Sequence, residues 1–248
     1  MTTAARRAVV TGGARGIGRS IAAALTRAGH EVVVLGRTKA TLEETVAAGD
    51  AAAWRVVDVG DTEMLARGLE GLAVDVLVNN AGIADSAPFA RTDLGFFRRL
   101  MAINFESVVT ATHAVLPGMV ERGFGRVISV ASVAGLRGYP YVSAYCASKH
   151  AVIGLTRALA REVATSGVTV NAVCPGYVDT DLVREGAARI AARTGRPAGE
   201  IAAGFHKDNP MGRFVRPGEV ADAVLWLAGE AASGVNGQAI AVDGGETP

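Results

Sequence analysis

The segment YPYVSAYCASK at residues 139–149 places three of the chain's four tyrosines close to a lysine. Tyr145 and Lys149 are four residues apart, so on a helix they would share one face, whereas neither Tyr139 nor Tyr141 has a cation at that distance. A phenol has a pKa of about 10, and half-ionisation near neutral pH requires a shift of about three units, or roughly 4 kcal/mol. A cation at about 4 Å contributes on the order of 4 kcal/mol at an effective dielectric constant near 20. We therefore expect the lysine to lower the pKa of the tyrosine and to make it an acid–base catalyst.

A glycine-rich loop, TGGARGIGRS at residues 11–20, lies between a predicted strand and a predicted helix. Glycines let backbone N–H groups approach a diphosphate, and the N-terminus of the helix that follows favours negative charge. Residues 13–20 nearly fit a P-loop, but Arg19 stands where that motif has its phosphate-binding lysine. The usual G-x-G-x-x-G spacing is also absent, because the loop reads T-G-x-x-x-G-x-G. The loop predicts nucleotide binding, with a phosphotransferase as a distant alternative.

Short runs of β-branched residues alternate with longer alanine-rich helical patterns. The runs are continuously apolar, which is typical of parallel strands that are covered on both faces. Repeated β-α units with right-handed crossovers predict a doubly wound, Rossmann-like α/β fold with about seven parallel strands. Predicted strands lie at residues 8–11, 31–36, 52–59, 74–82, 125–132 and 168–176, and predicted helices at 16–29, 39–48, 62–69, 94–122 and 142–166.

The sequence has no linker, repeat or low-complexity tract, so we expect a single domain over residues 1–248. The region at about 181–216 interrupts the β-α rhythm and is predicted to form a short helical lid over the substrate. Its modest excess of basic residues would suit a CoA or carrier phosphate. A solvated amphipathic helix is the alternative explanation of the same charges.

Composition argues against several classes of function. The formal net charge is +1, which gives no electrostatic basis for binding nucleic acid or an anionic membrane. No apolar run reaches membrane-spanning length, and the first residues lack the apolar region of a signal peptide. Cys146 and Cys174 suit neither a disulfide framework nor a zinc site, and the four histidines are scattered. We expect a cytoplasmic protein without a metal site.

Taken together, the motifs resemble those of the short-chain dehydrogenase/reductase family. The shared features are the glycine loop, NNAG at residues 79–82, Asp58-Val59, Asn104, Ser132, the pair Tyr145 and Lys149, Pro175-Gly176 and the ending NGQAIAVDGG. The resemblance covers most of the chain, and the joint order and spacing of the motifs make it specific. It implies an oxidoreductase that interconverts a ketone and a secondary alcohol by hydride transfer with a nicotinamide cofactor.

The same resemblance implies the catalytic roles. Tyr145 would be the general acid and base, Ser132 would hydrogen-bond the reacting oxygen, and Lys149 would also hold the nicotinamide ribose. Asn104 would position a water that relays protons to Lys149. The expected substrate contacts are Ser132, Tyr139, Tyr145 and Tyr177, with Tyr141 beside Tyr139 at the substrate entrance.

A nicotinamide dinucleotide is the expected cofactor. NAD enzymes of this fold usually end their second strand with a carboxylate for the ribose 2′-OH, but Gly36 stands here and Arg37 follows it. A guanidinium suits a 2′-phosphate and Arg15 could be a second contact, so NADP(H) is favoured and NAD(H) is the alternative. The further cofactor contacts that the resemblance implies are Gly12, Gly16, Ile17, Gly18, Asp58, Val59, Asn80, Ala81, Gly82, Tyr145, Lys149, Pro175, Gly176, Val178 and Thr180.

The substrate is less constrained than the reaction. Arg137 is the only charged residue between Ser132 and Tyr145, and Ala134 and Val142 stand where the family's free-hydroxybutyrate dehydrogenases have carboxylate anchors. We expect a small-molecule ketone of the carbonyl or β-ketoacyl type. An NAD-dependent hydroxyacyl or alcohol dehydrogenase is the alternative, and a non-catalytic dinucleotide-binding regulatory protein is a remote one. The family also implies a homotetramer, assembled through two long helices and the C-terminal strand region.

Overall fold

The computed structural model describes residues 5–205, 207 and 209–247, and seven parallel strands form its centre. The strands are β1 (Arg7–Thr11), β2 (Glu31–Gly36), β3 (Ala53–Val56), β4 (Val76–Asn79), β5 (Gly125–Val130), β6 (Val168–Pro175) and β7 (Ala239–Val242). The helices are α1 (Gly16–Arg27), α2 (Lys39–Ala47), α3 (Thr62–Leu69), α4 (Leu94–Met101), α5 (Ser107–Glu121), α6 (Ser143–Glu162), α7 (Asp181–Thr194), α8 (Ala198–Phe205) and α9 (Pro217–Ala228). The sequence patterns predict no bounds for β7 or α9.

The strand order is β3-β2-β1-β4-β5-β6-β7, so the predicted doubly wound, Rossmann-like sheet is confirmed. Both faces of the sheet are covered, which explains why the strands read as continuous apolar runs. Ala8 and Val10 of β1 pack in one core layer with α1 and α9, whereas Val9 packs in the other layer with α3, α5 and α6.

The carboxyl ends of the strands form the edge where the motif residues gather. β1 pairs with β2 on one side and with β4 on the other, so the direction of winding reverses between β1 and β4. Open α/β sheets bind their ligands in the crevice at such a switch point. The glycine loop follows β1, and the NNAG motif begins at the last residue of β4. These two motifs therefore flank the crevice.

The predicted helix at residues 94–122 is interrupted in the structure. α4 is joined to α5 by a π-helical turn, Ala102–Glu106, which contains Asn104. Such turns insert one extra residue into an α-helix and are frequent at functional sites. The turn buries the Asn104 side chain, which is 1% exposed.

The predicted lid contains two helices. α7 ends at Thr194, and the next residue, Gly195, has a φ of 72° in the left-handed region, which allows the chain to reverse into α8. A parallel bridge between Val178 and Val215 joins the two ends of the inserted segment. The lid is therefore tied to the sheet beside the end of β6.

Candidate active site

The glycine loop combines a close backbone approach with the exposed start of a helix. α1 begins at Gly16, and its N-cap residue, Arg15, makes no capping hydrogen bond with its side chain. No acidic residue lies in the first turn, so the positive end of the helix is not neutralised locally. A Cβ on Gly18 would lie 2.2 Å from the carbonyl oxygen of Gly12, so only glycine permits this close approach. The loop fits the phosphate portion of a dinucleotide.

Asn80 holds the glycine loop in place. Its side-chain nitrogen Nδ2 donates to the carbonyl oxygens of Thr11, at 2.9 Å, and Gly12, at 3.2 Å. The backbone N–H groups of Asn80 and Ala81 both donate to the Thr11 hydroxyl at 3.0 Å. Asn80 was predicted as a cofactor contact, but its amide hydrogens bind the loop backbone. The structure therefore favours a positioning role for this side chain.

Ser132 and Tyr145 approach each other from two elements at the carboxyl edge. Ser132 follows β5 and caps a 3₁₀ turn, Val133–Gly135, with its hydroxyl oxygen accepting from the N–H of Ala134 at 3.1 Å. Tyr145 lies in the first turn of α6, close enough for the Ser132 side chain to lower the pKa of its phenol. The two side chains therefore lie next to each other at the carboxyl edge of the sheet.

Lys149 lies one turn further along α6, as the sequence spacing predicts. Its ammonium donates to the carbonyl oxygen of Val130 at 2.9 Å and lies 5.8 Å from the centre of the Tyr145 ring. A Cβ on Gly82 would lie 3.7 Å from Lys149 Nζ, so the NNAG motif borders the lysine. Ser132, Tyr145, Lys149 and the loop after β4 therefore converge.

The predicted effect of the lysine on the tyrosine pKa is not seen in the structure. Burial raises the pKa of Tyr145 to about 12, and the hydrogen bond with Ser132 opposes this only in part. Burial lowers the pKa of Lys149 to about 8. Lys149 directs its ammonium to the Val130 carbonyl, and desolvation dominates both groups. Tyr145 is consequently a protonated phenol at neutral pH.

The buried ammonium of Lys149 should reduce stability, and Lys149→Met is expected to raise the free energy of unfolding at pH 7 by about 1–3 kcal/mol. The folded-state pKa of about 8 lies below the ordinary value of 10.5, so the penalty is complete below about pH 8. It is lost as the pH rises to about 10.5, because the unfolded chain then releases the same proton. Urea unfolding of both proteins at pH 7 and pH 10 measures the effect.

The matched control for that measurement is Lys39→Met, which removes an ammonium whose side chain is 66% exposed. This variant should change the stability by no more than about 0.5 kcal/mol at either pH. A Lys149→Met protein that is no more stable than the parent at pH 7 would contradict a desolvated charge at this position.

Asn104 connects the loop after β4 to α6. Its Oδ1 accepts from the N–H of Ile83 at 2.8 Å, and its Nδ2 donates to the Ile83 carbonyl at 2.9 Å and to the Ser148 hydroxyl at 3.1 Å. Ser148 donates in turn to the carbonyl of Tyr145 at 2.8 Å. Both amide hydrogens of Asn104 are used, so a relay water would have to be bound through an oxygen atom. The water relay itself stays a prediction.

The predicted 2′-phosphate contacts lie at the protein surface. Arg37 and Arg15 are exposed, and neither side chain has an ion-pair partner within the described residues. Arg19 differs, because its Nε donates to the Asp50 carboxylate at 2.7 Å. Arg19 is thus paired with a carboxylate, which further weakens the P-loop interpretation.

The predicted adenine contact also lies at the surface. The Asp58 carboxylate is exposed and accepts from the N–H of Gly60 at 3.0 Å. Val59 beside it is buried. One oxygen of Asp58 is therefore used locally, and the adenine contact stays a prediction.

The residues after β6 reach back to the glycine loop. A Cβ on Gly16 would lie 3.3 Å from the Thr180 methyl group, which places Thr180 against the start of α1. Pro175 ends β6, Gly176 follows it, and Val178 makes the bridge at the base of the lid. The Tyr177 ring stacks on Phe205 of α8, with ring centres 4.8 Å apart. The segment thus connects the cofactor edge to the lid.

Tyr139 is involved in a contact that the sequence did not predict. Its hydroxyl donates to Oε1 of Glu246, and Arg137 Nη2 donates to the same oxygen at 3.0 Å. Burial, and then the bond to Glu246, raise the pKa of Tyr139 well above its ordinary value. Arg137 is the only charged residue between Ser132 and Tyr145, but no local pattern points to a glutamate 109 residues further on.

Tyr141 adopts a backbone conformation that is unusual for its residue type. Its φ of 69° lies in the left-handed region, and its carbonyl accepts from the N–H of Ala87 at 2.8 Å. The side chain is 65% exposed. This bond joins the segment before α6 to the loop after β4, where the predicted substrate entrance lies.

The described residues give little support to a membrane-spanning segment, a metal site or a reactive cysteine. None of the helices in the described part of the chain is long and apolar enough to span a bilayer. Across those same residues, no group of three or more His, Cys, Asp and Glu side chains is arranged to hold a metal ion. Cys146 and Cys174 are free and buried, and burial raises the pKa of Cys174 to about 11. A thiol of that kind behaves as a core residue.

Comparison with known proteins gives consistent matches. Residues 6–190 match the family described as short chain dehydrogenase. A Xanthobacter autotrophicus protein named inactive 2-(S)-hydroxypropyl-CoM dehydrogenase 2 is 39% identical over 234 residues, which cover 92% of this chain and 99% of that protein. A cis-4-hydroxycyclohexanecarboxylate dehydrogenase from Sinomonas cyclohexanicum is 39% identical over 253 residues, which cover 98% and 97%. The structure of a variant of actinorhodin polyketide ketoreductase with NADPH superposes with a TM-score of 0.93 at 34% identity, covering 99% of each chain.

Proposed function

Because the chain belongs to the short-chain dehydrogenase/reductase family, an oxidoreductase family, we propose that it interconverts a ketone and a secondary alcohol with NADP(H), using Tyr145 as general acid and base. The observation that carries this proposal is the convergence of Ser132, Tyr145 and Lys149 beside the glycine loop. A regulatory protein that only bound a nucleotide would gain nothing from a lysine buried at a cost in stability. One matched relative is named inactive, but Asn104, Ser132, Tyr145 and Lys149 are all present in this chain, which supports activity.

The protein's own groups handle the proton. Tyr145 donates its phenolic proton to the carbonyl oxygen of the ketone, while Ser132 donates a hydrogen bond to the same oxygen. The Lys149 ammonium, one helical turn away, stabilises the resulting phenolate until it is reprotonated. When bound, the nicotinamide cofactor would exchange a hydride with the substrate carbon. A phenol whose pKa is about 12 is protonated at neutral pH, which suits reduction, and alcohol oxidation should increase at alkaline pH.

The choice of NADP(H) rests on the end of β2. Gly36 offers no carboxylate to a ribose 2′-OH, and Arg37 and Arg15 offer two exposed guanidinium groups to a 2′-phosphate. The matched ketoreductase structure contains NADPH, which supports the same choice. NAD(H) is the alternative cofactor, because none of the described residues is positioned to prevent NAD(H) binding.

The proposed substrate is a small carbonyl or β-ketoacyl compound that is covered by the helical lid. The likeness to a polyketide ketoreductase supports this class. A second candidate is an NAD-dependent hydroxyacyl or alcohol dehydrogenase that works in the oxidative direction. The relative that is named as a dehydrogenase of a cyclic hydroxy acid favours this second candidate.

One assay separates these candidates. The purified protein is tested for oxidation of NADPH and NADH against ketones, β-ketoacyl thioesters and cyclic diketones, and for the reverse reaction with the corresponding alcohols. We expect NADPH-dependent reduction of at least one ketone class. Failure of every substrate with both cofactors, in both directions, would leave only the non-catalytic alternative.

We further propose that the chain assembles as a homotetramer in the cytoplasm, without a nucleic-acid or membrane partner. Large apolar side chains are exposed next to or on the helices that the family uses for assembly, including Phe89 at 72% and Leu94 at 70%. Trp226 of α9 is also exposed, at 45%, and the second proposed interface is the C-terminal strand region. Light scattering that gave a monomer at micromolar concentration would refute the tetramer.

A further inference from the structure

Ser148 lies inside α6 between the two residues assigned to proton transfer, three positions after Tyr145 and one before Lys149. It is fully buried, and its hydroxyl group makes two hydrogen bonds. The oxygen accepts from Asn104 Nδ2 at 3.1 Å, and the hydroxyl donates to the carbonyl oxygen of Tyr145 at 2.8 Å. The proposed proton and hydride transfers do not themselves use this residue.

The helix does not require a serine at this position. Serine is less favourable than alanine inside a helix, because its hydroxyl group competes for backbone hydrogen bonds. α6 is rich in alanine, and Ala147 stands directly before Ser148. The carbonyl of Tyr145 accepts from the N–H of Lys149 in a regular helix, so the bond from the serine is an additional one. The hydroxyl at this position therefore serves the Asn104 side chain rather than the helix.

The hydrogen bonds of this group run in one direction. Ile83 donates its N–H to Oδ1 of Asn104 at 2.8 Å and accepts from Nδ2 at 2.9 Å, which fixes the orientation of the amide. The second hydrogen on Nδ2 then requires an acceptor, because Asn104 is 1% exposed. Ser148 must be that acceptor, since it donates its single hydrogen to the Tyr145 carbonyl. The Asn104 amide is thus held by Ile83 on one side and by Ser148 on the other.

The segments that these bonds connect meet at the reaction centre. A Cβ on Gly82, which precedes Ile83, would lie 3.1 Å from Oδ1 of Asn104 and 3.7 Å from Nζ of Lys149. The loop after β4 therefore borders both the amide and the ammonium. Ser148 joins the π-helical turn that contains Asn104 to α6 at this same place.

This connection matters because ketone reduction needs two groups from different segments to reach one carbonyl. The proposed proton comes from Tyr145 on α6, whereas the hydride would come from a cofactor bound at the glycine loop and the loop after β4. A displacement of about 1 Å between reacting groups can lower a rate by about a hundredfold. Bonds that set the position of α6 relative to the loop after β4 should therefore affect turnover more than cofactor binding.

We propose that Ser148 is a positioning residue for proton transfer, which acts through Asn104 to hold the Tyr145 turn of α6 in register with the loop after β4. This inference rests on the proposed ketone reduction and adds a residue to it. Ser148 supplies no proton in this scheme, because its hydrogen is donated to the Tyr145 carbonyl.

The test compares Ser148→Ala with the unmutated enzyme on a ketone that the wider panel identifies as a substrate. The variant keeps a good helix former in α6 and leaves one hydrogen of the Asn104 amide without its acceptor. We expect kcat to fall by about tenfold to a hundredfold, with the dissociation constant of NADPH nearly unchanged. Steady-state kinetics and fluorescence titration with NADPH measure the two quantities. A kcat close to the parental value, or a loss confined to NADPH binding, would overturn the inference.

The matched control is Thr156→Val, which removes another buried hydroxyl group from the same helix. Thr156 lies about two turns beyond Ser148, is 2% exposed and donates to the carbonyl of Val152 at 2.9 Å. This variant should lose stability much as Ser148→Ala does, but it should keep the parental kcat. An equal fall of kcat in both variants would show a general effect of buried hydroxyl groups in α6 and would also overturn the inference.

A double variant tests the route through Asn104. Asn104→Ala removes the amide, so the addition of Ser148→Ala should then lower kcat no further. If the two separate losses multiply in the double variant, Ser148 does not act through Asn104 and the inference is wrong. If Asn104→Ala fails to fold, the comparison of Ser148→Ala with Thr156→Val decides the question. Absence of turnover by the unmutated enzyme with every ketone would instead be a failure of the proposed function, so the two failures are distinguishable.

Discussion

Tyr145→Phe is expected to lower kcat by about two to four powers of ten while leaving the dissociation constant of NADPH nearly unchanged. The substitution keeps the aromatic ring and removes only the hydroxyl, which is the proposed source of the transferable proton and lies beside Ser132. Because the lost interaction acts on the reacting oxygen, kcat and kcat/KM should fall together. Steady-state rates and NADPH titration by fluorescence measure the two effects separately.

Two further variants make this experiment specific. Lys149→Ala should weaken both turnover and cofactor binding, because the lysine is assigned to both. Tyr141→Phe should keep most of the activity, since it removes a hydroxyl from a side chain that is 65% exposed. Near-normal turnover in Tyr145→Phe would mean that another group supplies the proton, and the catalytic assignment would be abandoned.

Arg37→Ala is expected to weaken NADPH binding by about one to two powers of ten and to leave NADH binding nearly untouched. A charge-assisted contact to a phosphate is worth roughly 1.5–3 kcal/mol. NADH has no 2′-phosphate, so it loses no such contact when Arg37 is removed. Arg37 is exposed and makes no ion pair with a described residue, so its removal should not disturb the fold. Arg15→Ala should give a smaller NADPH loss if that side chain shares the contact.

Gly36→Asp should move the preference further towards NADH. The new carboxylate would offer a partner to the ribose 2′-OH and would repel a 2′-phosphate. A Cβ at this position would lie 3.3 Å from the Leu42 side chain, so Leu42 must move by a few tenths of an ångström. The deciding measurement is the ratio of kcat/KM with NADPH to that with NADH in the unmutated protein. A ratio below one would mean that Arg37 does not bind a phosphate, although the catalytic assignment would stand.

The sequence by itself determined the fold class and the arrangement of the main catalytic candidates. Apolar runs and helical periods are local properties, and they predicted the sheet and six of its seven strands. The spacing of Tyr145 and Lys149 is also local, since residues four apart share a helix face in any fold that keeps the helix. Ser132 could be placed because strand ends in a parallel sheet meet at one edge.

The tertiary structure decided the features that depend on neighbours distant in sequence. Burial at the crevice, which no local pattern reports, raises the pKa of Tyr145 and lowers that of Lys149, against the prediction from charge alone. Asn80 binds the glycine loop that precedes it by 68 residues. Glu246 meets Arg137 only because β7 pairs with β6 and delivers the C-terminal turn to the reaction edge. Desolvation and long-range pairing arise from packing, and packing exists only once the chain has folded.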